Sequence, residues 1–321
     1  MKSFRTIDEQ IELMKSRNLI ITDEKYAKNY LLSNNYYSII NGYGKYFPRN
    51  GEKYVNGTTF EELECLHRFD RDLKQVLFRA IVSVETHLKS IFAYHFAEKY
   101  RGKVYAYLNI ECYDRSQTLS VISTIARLSQ IIKKQQEVPN TSISHYVNQH
   151  NDVPIWVLMN YLDFGGLRCM MNSSSSSLKN SVAKDLQNFA KQNLSNVGIF
   201  PPEVMMSFVE NIHEVRNVCA HNNRLLDFQC KRDSKYWNDL HKNYGIQPTN
   251  QRRDVFNVFI STQCFLSRME YSTLHNSILK LMKDHLKKIK SIPIGNILVT
   301  LGFPGNWDTT SKIDHHSYQS L

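Results

Sequence analysis

From Phe60 to Tyr100 apolar side chains recur at steps of three and four: Leu63, Leu66, Phe69, Leu73, Val76, Leu77, Ala80, Val84, Leu88, Ile91 and Phe92. A strand alternates every second residue, whereas this pattern has the period of a helix. The stretch contains neither proline nor glycine, and Thr59-Phe-Glu-Glu-Leu at its start is a capping box. One long helix or two consecutive helices are predicted. A rod of that length forces neighbours that also bury one stripe, so the expected fold is all-α. Its remaining positions, Arg68, Asp70, Arg71, Asp72, Lys74, Arg79, Glu85, His87 and Lys89, read as a solvated or salt-bridged face. Glu85 and His87 are minor candidates for a site.

The rest of the chain agrees. Ile7, Ile11 and Met14 follow Thr6, a possible N-cap, and Asp23 to Leu32 repeats the pattern with Tyr26 and Tyr30. Tyr36, Tyr37 and Tyr43 either stack on bases or pack between helices, and packing is favoured. Residues 48–58 read as a polar loop. Further helices are expected at Leu119 to Lys134, Ser142 to Asn148 and Leu178 to Leu194, after Pro201-Pro202, and from Val255 to Lys290. Pro154 should open a buried helix that Gly165-Gly166 stops, with Trp156 in the core. The run Asn172-Ser-Ser-Ser-Ser-Ser reads as a flexible linker, and Arg224 to Asn250 as irregular. The expected organisation is an N-terminal helical extension (1–58), a helical core (59–290) and a short C-terminal extension (291–321). His315-His316 is assigned to a frayed end rather than a metal site.

Forty basic against thirty acidic residues give a formal charge of +10, which favours a polyanionic partner. The six cysteines are scattered without a CxxC pair or a zinc-spaced His cluster, so neither a metal nor a cofactor is expected. The N-terminus lacks an apolar signal region, and no apolar run is long enough for a membrane span. A cytoplasmic protein that does not engage membranes is expected.

Chemistry concentrates in Arg216-Asn-Val-Cys-Ala-His221. Arginine neutralises a phosphate through a planar fork. Histidine, titrating near pH ~6.5, moves a proton on or off a ribose hydroxyl or a leaving oxygen. Helical spacing lets Arg216, Asn217 and His221 overlook one patch near the end of their helix. The alternative is a helix-end pair that binds carbonyls and a neighbouring acid. Arg268 and His275 repeat the Arg/His combination without the amide and read as incidental. Cys219 reads as packing inward.

Several separated motifs appear in a fixed order: Gln10 with Leu19-Ile-Ile; Tyr36-Tyr37 with Gly42-Tyr43; Phe69-Asp-Arg-Asp-Leu with Ile81 to Glu85; Pro154-Ile-Trp with Phe164-Gly165; the Arg216–His221 motif with Asn223-Arg224; and Gly302-Phe-Pro with Asn306-Trp307. Together they resemble the Abi-like family of bacterial abortive-infection proteins (the AbiD/AbiF type). The R-N-x3-H pattern is similar to the signature of HEPN ribonucleases. The resemblance implies a HEPN-like four-helix core, a phage-defence or toxin role, and control by a small noncoding RNA. It implies Arg216, Asn217 and His221 as the catalytic set, with Asn222, Asn223 and Arg224 as adjoining candidates. Since HEPN sites are composite and this chain offers one convincing motif, a homodimer is expected. Lys283, Lys287 and Lys288 form a basic tail that either touches RNA or is merely solvated.

The leading expectation is an endoribonuclease that leaves 2′,3′-cyclic phosphate and 5′-OH ends. The alternative is a protein that holds a structured noncoding RNA without cutting it. A HEPN partner module for a nucleotidyltransferase is weaker, because the chain shows no acidic metal pair or phosphate-binding glycine loop.

Overall fold

The computed structural model describes residues 4–310, so His315 and His316 lie outside the described residues. The chain opens with α1 (Ile7–Ser16), where the Thr6 hydroxyl accepts from Glu9 N–H and the Glu9 carboxylate accepts from Thr6 N–H. This reciprocal cap satisfies two donors that a helix start leaves orphaned. α2 (Glu24–Asn34) starts from Asp23 in the same spirit. A π-helical turn at Tyr37–Asn41 follows. Within the stretch read as a loop, β1 (Arg49–Asn50) and β2 (Lys53–Tyr54) pair antiparallel.

The long periodic stretch forms one unbroken helix, α3 (Phe60–Lys99), opened by Thr59 and Glu62 as the capping box predicts. Then come α4 (Thr118–Gln136), α5 (Ser142–His150), α6 (Ile155–Leu158), α7 (Phe164–Asn172), α8 (Ser176–Asn193) and α9 (Pro202–Ala220). The last helices are α10 (Asn238–His241), α11 (Val255–Ser261), α12 (Arg268–His285), α13 (Ile294–Thr300) and α14 (Trp307–Thr310). The fold is all-α. α8, α9 and α12 pack along α3, and α8 also packs on α9 and α12. One apolar core runs from Ile11 to Trp307 and includes Leu66, Phe69, Leu73, Phe208 and Ile212. Each such side chain contributes roughly 1.5–3 kcal/mol on leaving water.

Three local expectations are corrected. Gly165 and Gly166 do not end a helix; they lie in the first turn of α7, where Asp163 is the N-cap and accepts from Gly166 N–H at 2.7 Å. A side chain there would crowd its neighbours: a Cβ at Gly166 would lie 2.4 Å from Leu162 Cδ1, and one at Gly165 would lie 3.2 Å from His213 Nε2. The serine run is a tight junction between α7 and α8 rather than a linker. Ser173 and Ser174 are buried, and the Ser174 hydroxyl turns back onto the Met170 carbonyl at 2.7 Å. The charged face of α3 is salt-bridged as expected, with Asp70–Lys74, Arg71–Asp72 and Glu85–Lys89 pairs, and the Asp70–Lys74 pair is buried. Trp156 is not core. α6 has a single turn that sends Ile155, Val157 and Leu158 inward, and it leaves Trp156 58% exposed.

Candidate nucleic-acid site

α9 starts with Pro202 at its first position, where a missing N–H costs nothing. Its apolar stripe, Val204, Met205, Phe208, Val209, Ile212, Val215 and Val218, faces the core. Three polar side chains mark a neighbouring line: His213, then Asn217 and His221 at successive four-residue steps.

The end of α9 is a Schellman cap. Asn223 N–H bonds to the Val218 carbonyl at 3.0 Å and Asn222 N–H to that of Cys219 at 3.2 Å, with Asn222 left-handed at φ 53°. His221 is therefore the capping residue itself and is exposed. Its imidazole makes no hydrogen bond with another described side chain.

One helical step back, the Arg216 guanidinium lies over the Phe78 ring at 5.6 Å, and its Nη1 is 3.5 Å from Asn217 Oδ1. Arg216 Nε is buried and has no hydrogen-bond partner among the described residues. The Asn217 amide donates from Nδ2 to His213 Nε2 at 3.3 Å. Asn217 is thus clasped between a cation and an imidazole, with no hydrogen bond to His221. Burial, reinforced by Arg168 and Arg216, lowers the pKa of His213 from its ordinary value and so favours the neutral, accepting ring. Around it stand Phe164, edge-on at 5.6 Å, and the ion pair of Arg168 with Glu210. Burial pushes the Cys219 thiol up to about 12, which agrees with an inward structural role.

The loop after the cap is held from α3. Lys74 Nζ donates to Asn222 Oδ1 at 2.7 Å and pairs with Asp70 at 3.1 Å. Asp70 Oδ1 accepts from Leu225 and Leu226 N–H at 2.9 and 3.2 Å, and its Oδ2 accepts from the Tyr43 hydroxyl at 2.9 Å. Arg224 donates from Nη1 to the Gly42 carbonyl at 2.6 Å and from Nε to that of Leu226 at 3.2 Å. Its observed contacts therefore join the loop to the N-terminal segment. Asn223 is exposed. Tyr43 packs as favoured, Tyr36 is half-buried, and Tyr37 is 69% exposed.

Lys283, Lys287 and Lys288 are exposed at the end of α12 and in the turn after it, but the fold does not bring them to the motif. Neighbouring His285 contacts Asp72 at 3.1 Å. Asp72 is two residues from both Asp70 and Lys74, or about 200° around α3 from the clamp. Glu85 pairs with Lys89, and His87 stacks on Phe189, so both serve packing. His275 is buried within α12 beside Phe259 and Trp307. Among the described residues no group of three or more His, Cys, Asp or Glu is placed to hold a metal ion, and no helix is long and apolar enough to cross a membrane.

Sequence reasoning missed His213 and the Asp70–Lys74 clamp. His213 could have been found from its four-residue step to Asn217. The clamp left only an ordinary i, i+4 charge pair as its signal.

The profile of the Abi-like protein family matches residues 29–227, which include Tyr43, the Asp70–Lys74 clamp and the whole α9 motif. The match covers more than half of the chain, and the chain belongs to this family, whose membership supports a role in abortive infection. Neither a curated protein nor a solved structure matches it.

Proposed function

We propose that this protein is a phage-defence endoribonuclease of the HEPN type that works as a homodimer and is controlled by a small noncoding RNA. The observation that carries the reading is the end of α9, where Arg216 and Asn217 are held together while His221 stands exposed at the helix cap. One copy supplies a phosphate-binding cation and one proton-transfer group, and in-line cleavage of RNA needs two of the latter. Two copies facing each other across this helix end supply both.

In that arrangement His221 of one copy takes the proton from a ribose 2′-OH. The 2′-oxygen attacks the adjacent phosphorus, and the P–O5′ bond breaks. His221 of the second copy gives its proton to the departing 5′-oxygen. The products are a 2′,3′-cyclic phosphate and a 5′-OH. Arg216 balances the charge that builds on the phosphorane, where fixed donors in a water-poor site act most strongly. Asn217, held by His213, fixes the guanidinium's direction. The chemistry asks nothing of a metal, and DNA lacks the attacking hydroxyl.

The test is cleavage of total RNA by wild type and His221→Ala, with circular dichroism to verify the fold. Loss of cleavage in a folded variant is expected, with a bell-shaped pH profile in wild type. Full activity in the variant ends the reading. A second reading, an RNA-holding protein that does not cut, is favoured by the lack of any contact between the His221 imidazole and Arg216 or Asn217 within one chain. Under it, purified protein carries one discrete structured RNA whether or not His221 is present.

A further inference from the structure

Beyond the far end of α3, a cleft of about 430 Å³ opens between that helix end, the segment after it and the start of α6. Its walls include Tyr94, Tyr105 and Trp156. Tyr94 is 61% and Trp156 58% exposed. Large aromatic rings exposed together beside a ready-made cleft are a surface suited to a planar ligand. Tyr105 adds a second oddity. Its backbone is left-handed at φ 47°, a conformation that bulky residues rarely adopt, and it is pinned there by Asp152, which accepts from Tyr105 N–H at 2.9 Å.

The cleft's charges balance, Glu98 and Asp152 against Arg101 and Lys103, but the two acids already have partners. Asp152 is engaged by that backbone bond, and Glu98 faces His95 at 3.4 Å. Arg101 and Lys103, both exposed, form no ion pair with another described residue. Aromatic faces flanked by uncommitted cations are the surface that unpaired nucleotides recognise. Bases stack on the rings, whatever their sequence, and the phosphates meet the cations. The volume lies toward the small end of ligand clefts, roughly 300–1,000 Å³.

We propose that this cleft binds an unpaired nucleotide of a single-stranded RNA, stacked on Trp156 and Tyr94 with its phosphate against Arg101 and Lys103. The proposal rests on the RNA partner of the preceding reading, not on cleavage. Tyr94 is 16 residues along α3 from Phe78, the platform of Arg216, a rise of about 24 Å. The cleft is therefore an anchoring site away from the reacting phosphate.

Trp156 makes its own reporter, since Trp237 and Trp307 are only 6% and 3% exposed. The full chain is titrated with a ten-residue 2′-O-methyl oligoadenylate, which has no attacking hydroxyl, and with its duplex and with AMP alone. Saturable quenching by the single strand is expected, with much weaker quenching by duplex or AMP. By fluorescence anisotropy of a labelled strand, Trp156→Ala is expected to weaken binding about tenfold or more. Trp156→Phe, which keeps a ring, stays close to wild type. Reversing Arg101 and Lys103 to glutamate lowers the salt dependence. Unchanged affinity in Trp156→Ala overturns the proposal. So does equal binding of the duplex, or AMP binding as tightly as the strand, which would mark a free-nucleotide site. If wild type cuts RNA but the strand does not quench Trp156, the cleft fails alone. If the strand quenches Trp156 while His221→Ala still cuts, the catalytic assignment fails and the cleft stands.

Discussion

Lys74, in the middle of the longest helix, reaches Asn222 one residue past His221, with Nζ 2.7 Å from the side-chain oxygen. Because Asn222 takes the left-handed position of the helix cap, this one contact ties the backbone turn that presents His221 to the centre of the molecule. Asp70 completes the tie by holding both Lys74 and the amides of Leu225 and Leu226.

Breaking that tie should be costly. Asp70→Asn leaves Lys74 buried without its counter-charge, and a one-sided deletion of a buried pair typically costs about 3–5 kcal/mol. The expected result in urea denaturation is a midpoint lowered accordingly, with cleavage reduced further because the 222–226 loop is released. A variant as stable as wild type would show that the pair does not hold the loop.

His213 acts through Asn217. His213→Phe fills the space beside Phe164 but offers no acceptor to the Asn217 amide, which then loses its direction toward Arg216. Catalytic rate should fall by up to about a hundredfold, the scale of a single misplaced group, with the melting temperature little changed. His213→Gln, which keeps an acceptor, should recover part of the rate. Equal rates for both variants would assign His213 to packing alone.

Acid should weaken the fold before most carboxylates titrate. Burial lowers His67 and His241 to about 4, whereas an unfolded histidine titrates near ~6.5. Between those values the unfolded chain binds more protons than the folded one, so stability rises with pH across that window and is lost as pH falls through it. Melting temperatures measured from pH 7.5 to 4.5 should decline below about pH 6.5. A flat profile over that range would contradict the burial of these two rings.

Much of the frame could be read before the structure. The N-cap at Thr6, the capping box at Thr59, the period of α3 and the stripe of α9 are local signals, and local signals survive without tertiary information. Expectations failed where a partner distant in sequence decides the outcome. The i, i+4 spacing of Asp70 and Lys74 showed that they could pair, but not that Tyr43 and the returning 222–226 loop would close over them. Gly165-Gly166 look like a helix stop until Leu162 and His213 occupy the space their side chains would need. Trp156 reads as core because tryptophan usually is, and a single-turn helix cannot turn every side inward. At the site, residue types and spacing identified Arg216, Asn217 and His221 as candidates. They could not show that Asn217 faces His213.

α3 runs 40 residues without a break, about 60 Å. It carries the Lys74 clamp at one station and Tyr94 at another. That makes it a ruler in which distance and direction are the same quantity. Each residue added between the two stations would lengthen the interval by about 1.5 Å and also swing one station about 100° around the other. Only an insertion of a whole number of turns would keep both facing as they do now. The separation along this rod can therefore change only in steps of whole turns, unless the relative facing of the two stations changes with it.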